Sequence, residues 1–519
     1  MRRLLFFLSA SCLAQVQPGQ LYHGILATGQ SLSTGCQGYA SGQVTSGTPY
    51  SNLSLSPGTT LLEGTTVFQL DTAPLIPLAP TWTCNNNGGD STDPSNLPQE
   101  YPSLSAVNQL TFLTGGAAGN RYILGQHGSS GREYAVIGGP TDVIQPSANP
   151  SFANGLVQLA GMKAAALAAG STFQLDALIL THGETDEIHR NRTYDLDLNH
   201  FQWDYEQQSN ALAGRTGLLP MFYSQQQSWG FYKGVGTVPT TAIAQWRAAE
   251  NNPGRLFLTG PSYYLPTGAI ADGVHKSPAG YRGLGELVGK AMFQVLVQHK
   301  AWVPLMPRTV TLSGATISAV FFVPVGSLQF DTATVPSQPN KGFEFTDGLT
   351  AWVDRIIQTS GPAPLSPVLV SGGSGYASPP TVSTGCGAYT ANLTNGVVTS
   401  LTRTAAGSGC TIIDITFSAP TPSVSIASVS ITAADTVQIV LSGPPTGPSP
   451  SLRYAYTALT GVGGGLGNLK DTDPTAGRTG SNLSDWCVTF DALIPFASRL
   501  LAVKASASTG VAVSSGVAQ

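Results

Sequence analysis

Over its first 300 residues the chain keeps changing between two hydrophobic rhythms, and this alternation constrains the fold more than any other feature. Short apolar runs recur at Ile25-Leu26-Ala27, Tyr122-Ile123-Leu124, Leu178-Ile179-Leu180, Met221-Phe222-Tyr223 and Leu256-Phe257-Leu258. Each is brief, and polar or turn residues follow close behind, as expected of buried strands. Between them lie helical patterns. Residues 155–169 are Ala/Leu-rich and proline-free, 241–250 read as a further helix, and 281–298 as a long amphipathic one. Strands alternating with helices imply an α/β fold, a parallel sheet with helices on both faces. Residues 37–102 break the rhythm. They are rich in Ser, Thr, Gly, Pro and Asn and read as a long surface excursion placed to roof a site.

Near Pro304 the rhythm changes for good. Val310 to Val325, Ser428 to Leu441 and Trp486 to Ala502 alternate apolar and small polar residues, the pattern of an antiparallel sandwich. Inside this half Val368 to Tyr376 is echoed by Leu401 to Cys410, with Gly-Ser-Gly turns in both. A chain of 519 residues is too long for one core. The expected layout is therefore an α/β domain over 15–303, an all-β domain over 304–364 and 423–519, and a small Gly/Ser-rich β module at 365–422 inserted into it.

Charge narrows the partners. Only 10% of residues are charged, the net charge is −4, and the sole basic cluster is Arg2-Arg3, so a nucleic-acid partner has no electrostatic footing. No apolar run approaches the roughly 20 residues that span a bilayer. Arg2-Arg3, the apolar stretch Leu4 to Leu13 and the small-x-small set Cys12-Leu13-Ala14 read as a secretory signal over 1–14, so a secreted or periplasmic protein is expected. A lipidated Cys12 is the other option, disfavoured by Ser9 three positions earlier. With Cys12 removed, Cys36 with Cys84 and Cys386 with Cys410 are candidate disulfides for an exported chain, and Cys487 is left over.

Four polar clusters follow strand candidates or precede a helix. The first is Gly29-Gln30-Ser31, at the end of the apolar run that begins at Ile25. A serine just past a strand end sits where open α/β sheets bind ligands, but a hydroxyl is a weak nucleophile without a base. The second is Gln126-His127-Gly128-Ser129-Ser130-Gly131, a glycine-rich turn able to aim backbone N–H groups at an oxyanion. The third is His182-Gly183-Glu184-Thr185-Asp186, ionisable groups at a strand end, costly there unless hydrogen-bonded or functional. His182, Glu184 and His189 lack a recognised metal spacing, so no metal is expected. The fourth is Asp272-Gly273-Val274-His275, before Ser277-Pro278, which fits a helix N-cap with proline in the first turn. A carboxylate three residues before a histidine can hold one ring nitrogen and leave the other for a serine proton.

Taken together and in this order, the four clusters resemble the motif blocks of the SGNH hydrolase superfamily, the GDSL-type esterases. Within it they resemble the carbohydrate-esterase branch that includes sialate O-acetylesterases and acetylxylan esterases. That branch has Gly-Gln-Ser at the nucleophile, a glycine in the second block, Gln-Gly-Glu-Ser-Asp in the third and Asp-x-x-His in the last. The likeness covers roughly residues 22 to 298. It implies a flavodoxin-like three-layer α/β/α domain, a nucleophile at Ser31, a base at His275 and an orienting carboxylate at Asp272. It also implies an oxyanion hole from Ser31, Gly128 and His182, with Gln30, Glu184 and Asp186 in support. No cofactor is implied, and the partner is an acetylated glycan. Two departures stand: Thr185 occupies the position where the wider superfamily has an oxyanion-holding Asn, and His182 stands where this branch has Gln. Gly131 is a second possible anchor for the second block. The rival expectation is an exported glycan-binding or adhesive protein with weak catalysis, its sugars stacked on Trp302, Trp352 or Trp486. A lipase fits poorly, since Ser31 lacks a Gly-x-Ser-x-Gly elbow.

Overall fold

In a computed structural model, the residues described are 19–39, 45, 50–55, 74–80, 98–116, 121–139, 151–233, 237–268, 272–353, 356–357, 367–384, 386–407, 412–413, 415–459 and 461–500. The signal-like segment, Cys84 and Cys410 lie outside them. The chain forms two contact-defined units, one of residues 1–181, 200–222 and 275–300, the other of 182–199, 223–274 and 301–519.

In chain order the α/β elements are β1 (Leu21–Gly29), β2 (Leu53–Leu55), β3 (Leu75–Pro77), α1 (Pro102–Leu113), β4 (Arg121–Gln126), α2 (Tyr134–Ile137), α3 (Ser151–Ala168) and β5 (Thr172–Thr181). They continue with α4 (Glu184–Ile188), α5 (Tyr194–Ala213), β6 (Met221–Gln225), α6 (Trp229–Lys233), α7 (Thr240–Asn251), β7 (Leu256–Pro261) and α8 (Pro278–Met292). The sheet order is β3-β2-β4-β1-β5-β6-β7. β1 pairs in parallel with both β4 and β5. Setting β2 and β3 aside, the other five strands lie in the order second, first, third, fourth, fifth, the flavodoxin-like arrangement. Its switch point falls between β1 and β5, and ligands bind there beyond the carboxyl ends of the strands.

The apolar runs form these strands because both of their faces are covered. Ile25, Leu26, Ile123, Leu124, Ala177 and Leu178 are fully buried, as central parallel strands require. Helix α3 packs on β1, β4 and β5, and α1 packs on β4 and along α8. The α1–α8 contact is unusually close. A Cβ at Gly285 would lie 2.2 Å from the Pro102 carbonyl oxygen, and one at Gly289 2.5 Å from that of Ala106. Glycine here brings the two helix backbones together. Helix α8 starts as its sequence suggests, with Ser277 Oγ accepting from the Gly280 amide and Pro278 in the first turn.

The segment 37–102 is only partly the surface excursion expected. Leu53 to Leu55 pair in parallel with β4 and are buried, and Leu75 to Pro77 extend the sheet antiparallel beyond them. Gln99 and Glu100 are wholly buried. Their polarity hid this: Ser105 Oγ donates to Glu100, so the buried carboxylate is hydrogen-bonded.

In the second unit the all-β character past residue 300 is plain. A five-stranded antiparallel sheet joins Ile426–Ala433, Thr436–Leu441, Thr316–Phe322, Met306–Ser313 and Phe496–Ala497. A three-stranded sheet joins Phe343–Thr346, Ser451–Tyr454 and Phe490–Leu493. Phe321 of the first and Phe343, Tyr454 and Phe490 of the second are almost fully buried and in ring contact, so the two sheets share an aromatic core. Residues 351–417 hold a separate small core of Ala351, Val353, Tyr376, Tyr389, Ala391, Val398, Ile415 and Phe417. Cys36 and Cys386 are disulfide-bonded, and Cys487 is a buried free thiol.

Candidate active site

The site begins with a glycine. Gly29 ends β1 at φ 137°, and a Cβ there would stand 1.9 Å from the Thr181 carbonyl oxygen at the end of β5. Only glycine lets the chain turn this close to its neighbour. The next amide, Gln30 N–H, donates to that same Thr181 oxygen at 3.1 Å. On the other side Ser129 N–H donates to the Gly29 carbonyl at 2.8 Å. The ends of β4, β1 and β5 are thus laced together, and Ser31 follows directly.

Ser31 opens a run of tight turns through Gln37. The Gln30 carbonyl accepts from the Ser33 amide and hydroxyl, and the Ser31 carbonyl accepts from Thr34 Oγ1 and the Cys36 amide. These bonds fix the backbone on both sides of Ser31, a residue that is 9% exposed. Its Oγ lies 2.9 Å from Nε2 of His275. His275 sits three residues before α8, so the capped helix start and the close α1–α8 contact position the imidazole. Its Nδ1 lies 3.2 Å from Gln37 Nε2. Gln37 had no part in the motifs. A glutamine between a cysteine and a glycine carries no local signal of such a role.

Gly128 is also fixed by crowding, since a Cβ there would meet Ser33 Oγ at 2.1 Å. Its neighbour His127 is structural. Gln158 Nε2 donates to the Gln126 carbonyl, so its Oε1 faces His127 Nδ1 and accepts from it at 3.0 Å. Nε2 of His127 then accepts from Tyr205 Oη at 2.7 Å. Complete burial lowers its pKa to about 4, partly opposed by the Gln158 bond. His127 is neutral at neutral pH.

The third motif, His182 to Asp186, and Asp272 of the fourth belong to the second unit. His182 is buried, and its Nδ1 lies 2.7 Å from Tyr194 Oη and 3.7 Å from the Asp186 carboxylate. Burial foremost, then Asp186 and Glu184, hold the Tyr194 phenol pKa well above its usual value, so it keeps its proton. Nδ1 of His182 thus faces both a hydroxyl that can donate or accept and a carboxylate, while Nε2 is the ring nitrogen left for other contacts. Asp186 accepts from Asn191 Nδ2 at 2.8 Å. Glu184 is buried and begins α4 behind Gly183, which has φ 129°. Glu187, which the motifs passed over, accepts from the Thr240 and Thr241 amides, Thr241 Oγ1 and Gln226 Nε2. It caps the start of α7, where a negative charge suits the helix dipole. Asp272 Oδ1 accepts from the Val274 amide at 2.8 Å, closing the turn ahead of His275.

Of the aromatic residues offered for sugar stacking, Trp302 and Trp486 are buried. Trp302 donates to the Leu258 carbonyl, and Trp486 stacks on Tyr264. Trp352 is half-buried beneath the Arg192 guanidinium, 4.2 Å from the ring centre. Among the described residues no helix is long and apolar enough to cross a membrane.

No protein-family model matches the chain, and no curated protein sequence matches it. Among solved structures it is similar to a carbohydrate acetylesterase from Xanthomonas citri, at 11% identity and a TM-score of 0.47, over 90% of this chain and 80% of that one. It is similar to NanS at 13% identity and a TM-score of 0.34, over 54% of this chain and 99% of that one. It is similar to a carbohydrate acetylesterase from Sinorhizobium meliloti at 11% identity and a TM-score of 0.26, over 53% of this chain and 99% of that one. Carbohydrate acetylesterases thus stand among the solved structures that this chain resembles.

Proposed function

We propose that the protein is a serine esterase that removes O-acetyl or other short acyl groups from a carbohydrate. One observation carries this reading: Ser31 Oγ lies 2.9 Å from His275 Nε2 at the carboxyl end of a central parallel strand. The carbohydrate class rests on the Gly29-Gln30-Ser31 and Asp272-x-x-His275 pair, which resembles the sialate O-acetylesterase and acetylxylan esterase branch. Export suits the disulfide-bonded Cys36 and Cys386.

The steps follow from the chemistry of these groups. Ser31 Oγ attacks the ester carbonyl carbon while His275 Nε2 takes the hydroxyl proton. The oxyanion is held by backbone N–H groups of Ser31 and Gly128, with His182 as the side-chain donor that the third motif implies. Collapse breaks the ester C–O bond, and His275 returns its proton to the departing sugar alcohol. Water then attacks the acyl-enzyme with His275 again as base, and acetate leaves. Asp272 supports the imidazolium charge in this scheme. Glu184 and Asp186 belong to the network behind His182.

Acetate release from p-nitrophenyl acetate and from a panel of acetylated glycans tests the reading. Ser31→Ala should lose about 10³-fold or more in kcat/KM. A Ser31→Ala protein as active as wild type would overturn it.

A further inference from the structure

Ser31 and His275 stand 244 positions apart in the chain, so their 2.9 Å contact depends on how the turn after β1 sits against the start of α8. One buried side chain joins the two. Tyr281 lies in the first turns of α8 and is wholly buried. Its amide donates to the Ser277 carbonyl at 2.9 Å, two positions after His275. Its Oη donates to the Cys36 carbonyl at 2.7 Å, and a carbonyl only accepts, so the sense of this bond is fixed. The Cys36 amide in turn donates to the Ser31 carbonyl at 3.0 Å. The bonds close a ring, from Ser31 through Cys36 and Tyr281 to Ser277 and His275, and across the 2.9 Å contact back to Ser31.

The phenol ring meets the turn as closely as its hydroxyl does. A Cβ at Gly38 would lie 2.8 Å from Tyr281 Cδ2, so glycine there lets the ring rest against the backbone. Cys36 is buried, and it carries both bonds, its amide to Ser31 and its carbonyl from Tyr281. A buried carbonyl that loses its donor costs free energy, which a shift of the turn relieves. Such a shift at Cys36 is passed to Ser31 through the amide bond. The tolerance is small. Proton transfer between a hydroxyl and a base needs a heavy-atom distance of about 2.6–3.2 Å. At 2.9 Å the Ser31–His275 pair sits in the middle of that window.

We propose that Tyr281 is a positioning residue for this reaction: its hydroxyl, bonded to the Cys36 carbonyl, fixes the nucleophile turn to the first turn of α8 and so sets the distance from Ser31 Oγ to His275 Nε2. The proposal rests on the esterase reading. Tyr281 acts through Cys36 and α8, and its hydroxyl exchanges no proton in the reaction. His275 serves both acylation and deacylation, so its placement bears on kcat rather than on substrate binding.

Tyr281→Phe tests it, because it keeps the ring against Gly38 and removes only the hydroxyl. Tyr454→Phe is the control. Tyr454 is as deeply buried, and its Oη accepts from the Leu469 amide at 2.7 Å within the all-β part of the second unit. Thermal unfolding is measured for each protein, and kinetics on p-nitrophenyl acetate are read well below each melting temperature. Tyr281→Phe should lose about 10-fold in kcat with KM little changed, and a fluorophosphonate should label its Ser31 about 10-fold more slowly. Tyr454→Phe should lose melting temperature and keep wild-type kcat and labelling. A folded Tyr281→Phe enzyme with wild-type kcat and labelling overturns the proposal. So does a Tyr454→Phe enzyme that loses as much kcat, since the effect would then be one of general stability. A Tyr281→Phe protein that does not fold also overturns it, because the hydroxyl would be holding the fold rather than the pair. Ser31→Ala is run beside them. If Ser31→Ala is inactive while Tyr281→Phe keeps full kcat, only the role of Tyr281 fails. If Ser31→Ala is active, the esterase reading fails and the proposal with it.

Discussion

At the scale of single residues, the two histidines that follow β4 and precede α8 are put to opposite uses by their surroundings. His127 is sealed between Gln158 and Tyr205 and kept neutral, with its pKa lowered to about 4. An unfolded histidine titrates near 6.5, so the unfolded chain binds more protons between about pH 6.5 and 4. The His127 contribution to stability is therefore fully present above about pH 6.5 and is lost as pH falls toward 4. One such group gives a slope of at most about 1.4 kcal/mol per pH unit. Chemical denaturation from pH 7 to 4.5 should show this slope in wild type and a flatter one in His127→Gln, although that variant is less stable at pH 7. Equal slopes in the two would contradict the assignment. The sequence marks His127 and His275 alike, each beside glycine-rich turns. What separates them, the partners at both ring nitrogens, comes from residues 31 to 244 positions away. Gln37 was illegible for the same reason, and because its left-handed backbone is imposed by neighbours rather than encoded in its type.

Among the elements, legibility followed burial. β1, β4, β5, β6 and β7 are buried, and their apolar runs announced them. β2 and β3 are three residues each and lie within a polar segment, too short for any period to register. α5 escaped notice because its sequence, rich in Asp, Asn and Gln, has no sharply apolar face. It nonetheless buries Phe201 and Tyr205 and supplies the Tyr205 hydroxyl that holds His127. The helix pair α1–α8 makes a claim of its own. Gly285→Ala adds helix propensity of about 1 kcal/mol. It also forces a methyl to within 2.2 Å of the Pro102 carbonyl oxygen, which the helices relieve only by parting. Overpacking of this kind typically costs about 1–3 kcal/mol. The clash should win, lowering the melting temperature and, through the displaced His275, kcat. An unchanged or raised melting temperature would show that the contact has slack.

For the whole molecule, the change of rhythm near Pro304 signals an α/β part and an all-β part, and both kinds of sheet are present. The contact-defined second unit is discontinuous in sequence, and local patterns cannot show that. Gln225 Nε2 donates to the Thr489 carbonyl, Trp229 Nε1 to that of Tyr456, and Tyr263 Oη to that of Cys487. Each bond joins residues more than 200 positions apart. What the molecule does still turns on Ser31 and His275. Labelling the intact protein with a fluorophosphonate, which reacts only with an activated serine, tests that pair most directly. Peptide mass spectrometry should find the adduct on Ser31 in wild type and a rate reduced by orders of magnitude in His275→Ala. An adduct on another serine, or equal labelling in the two proteins, would contradict the account.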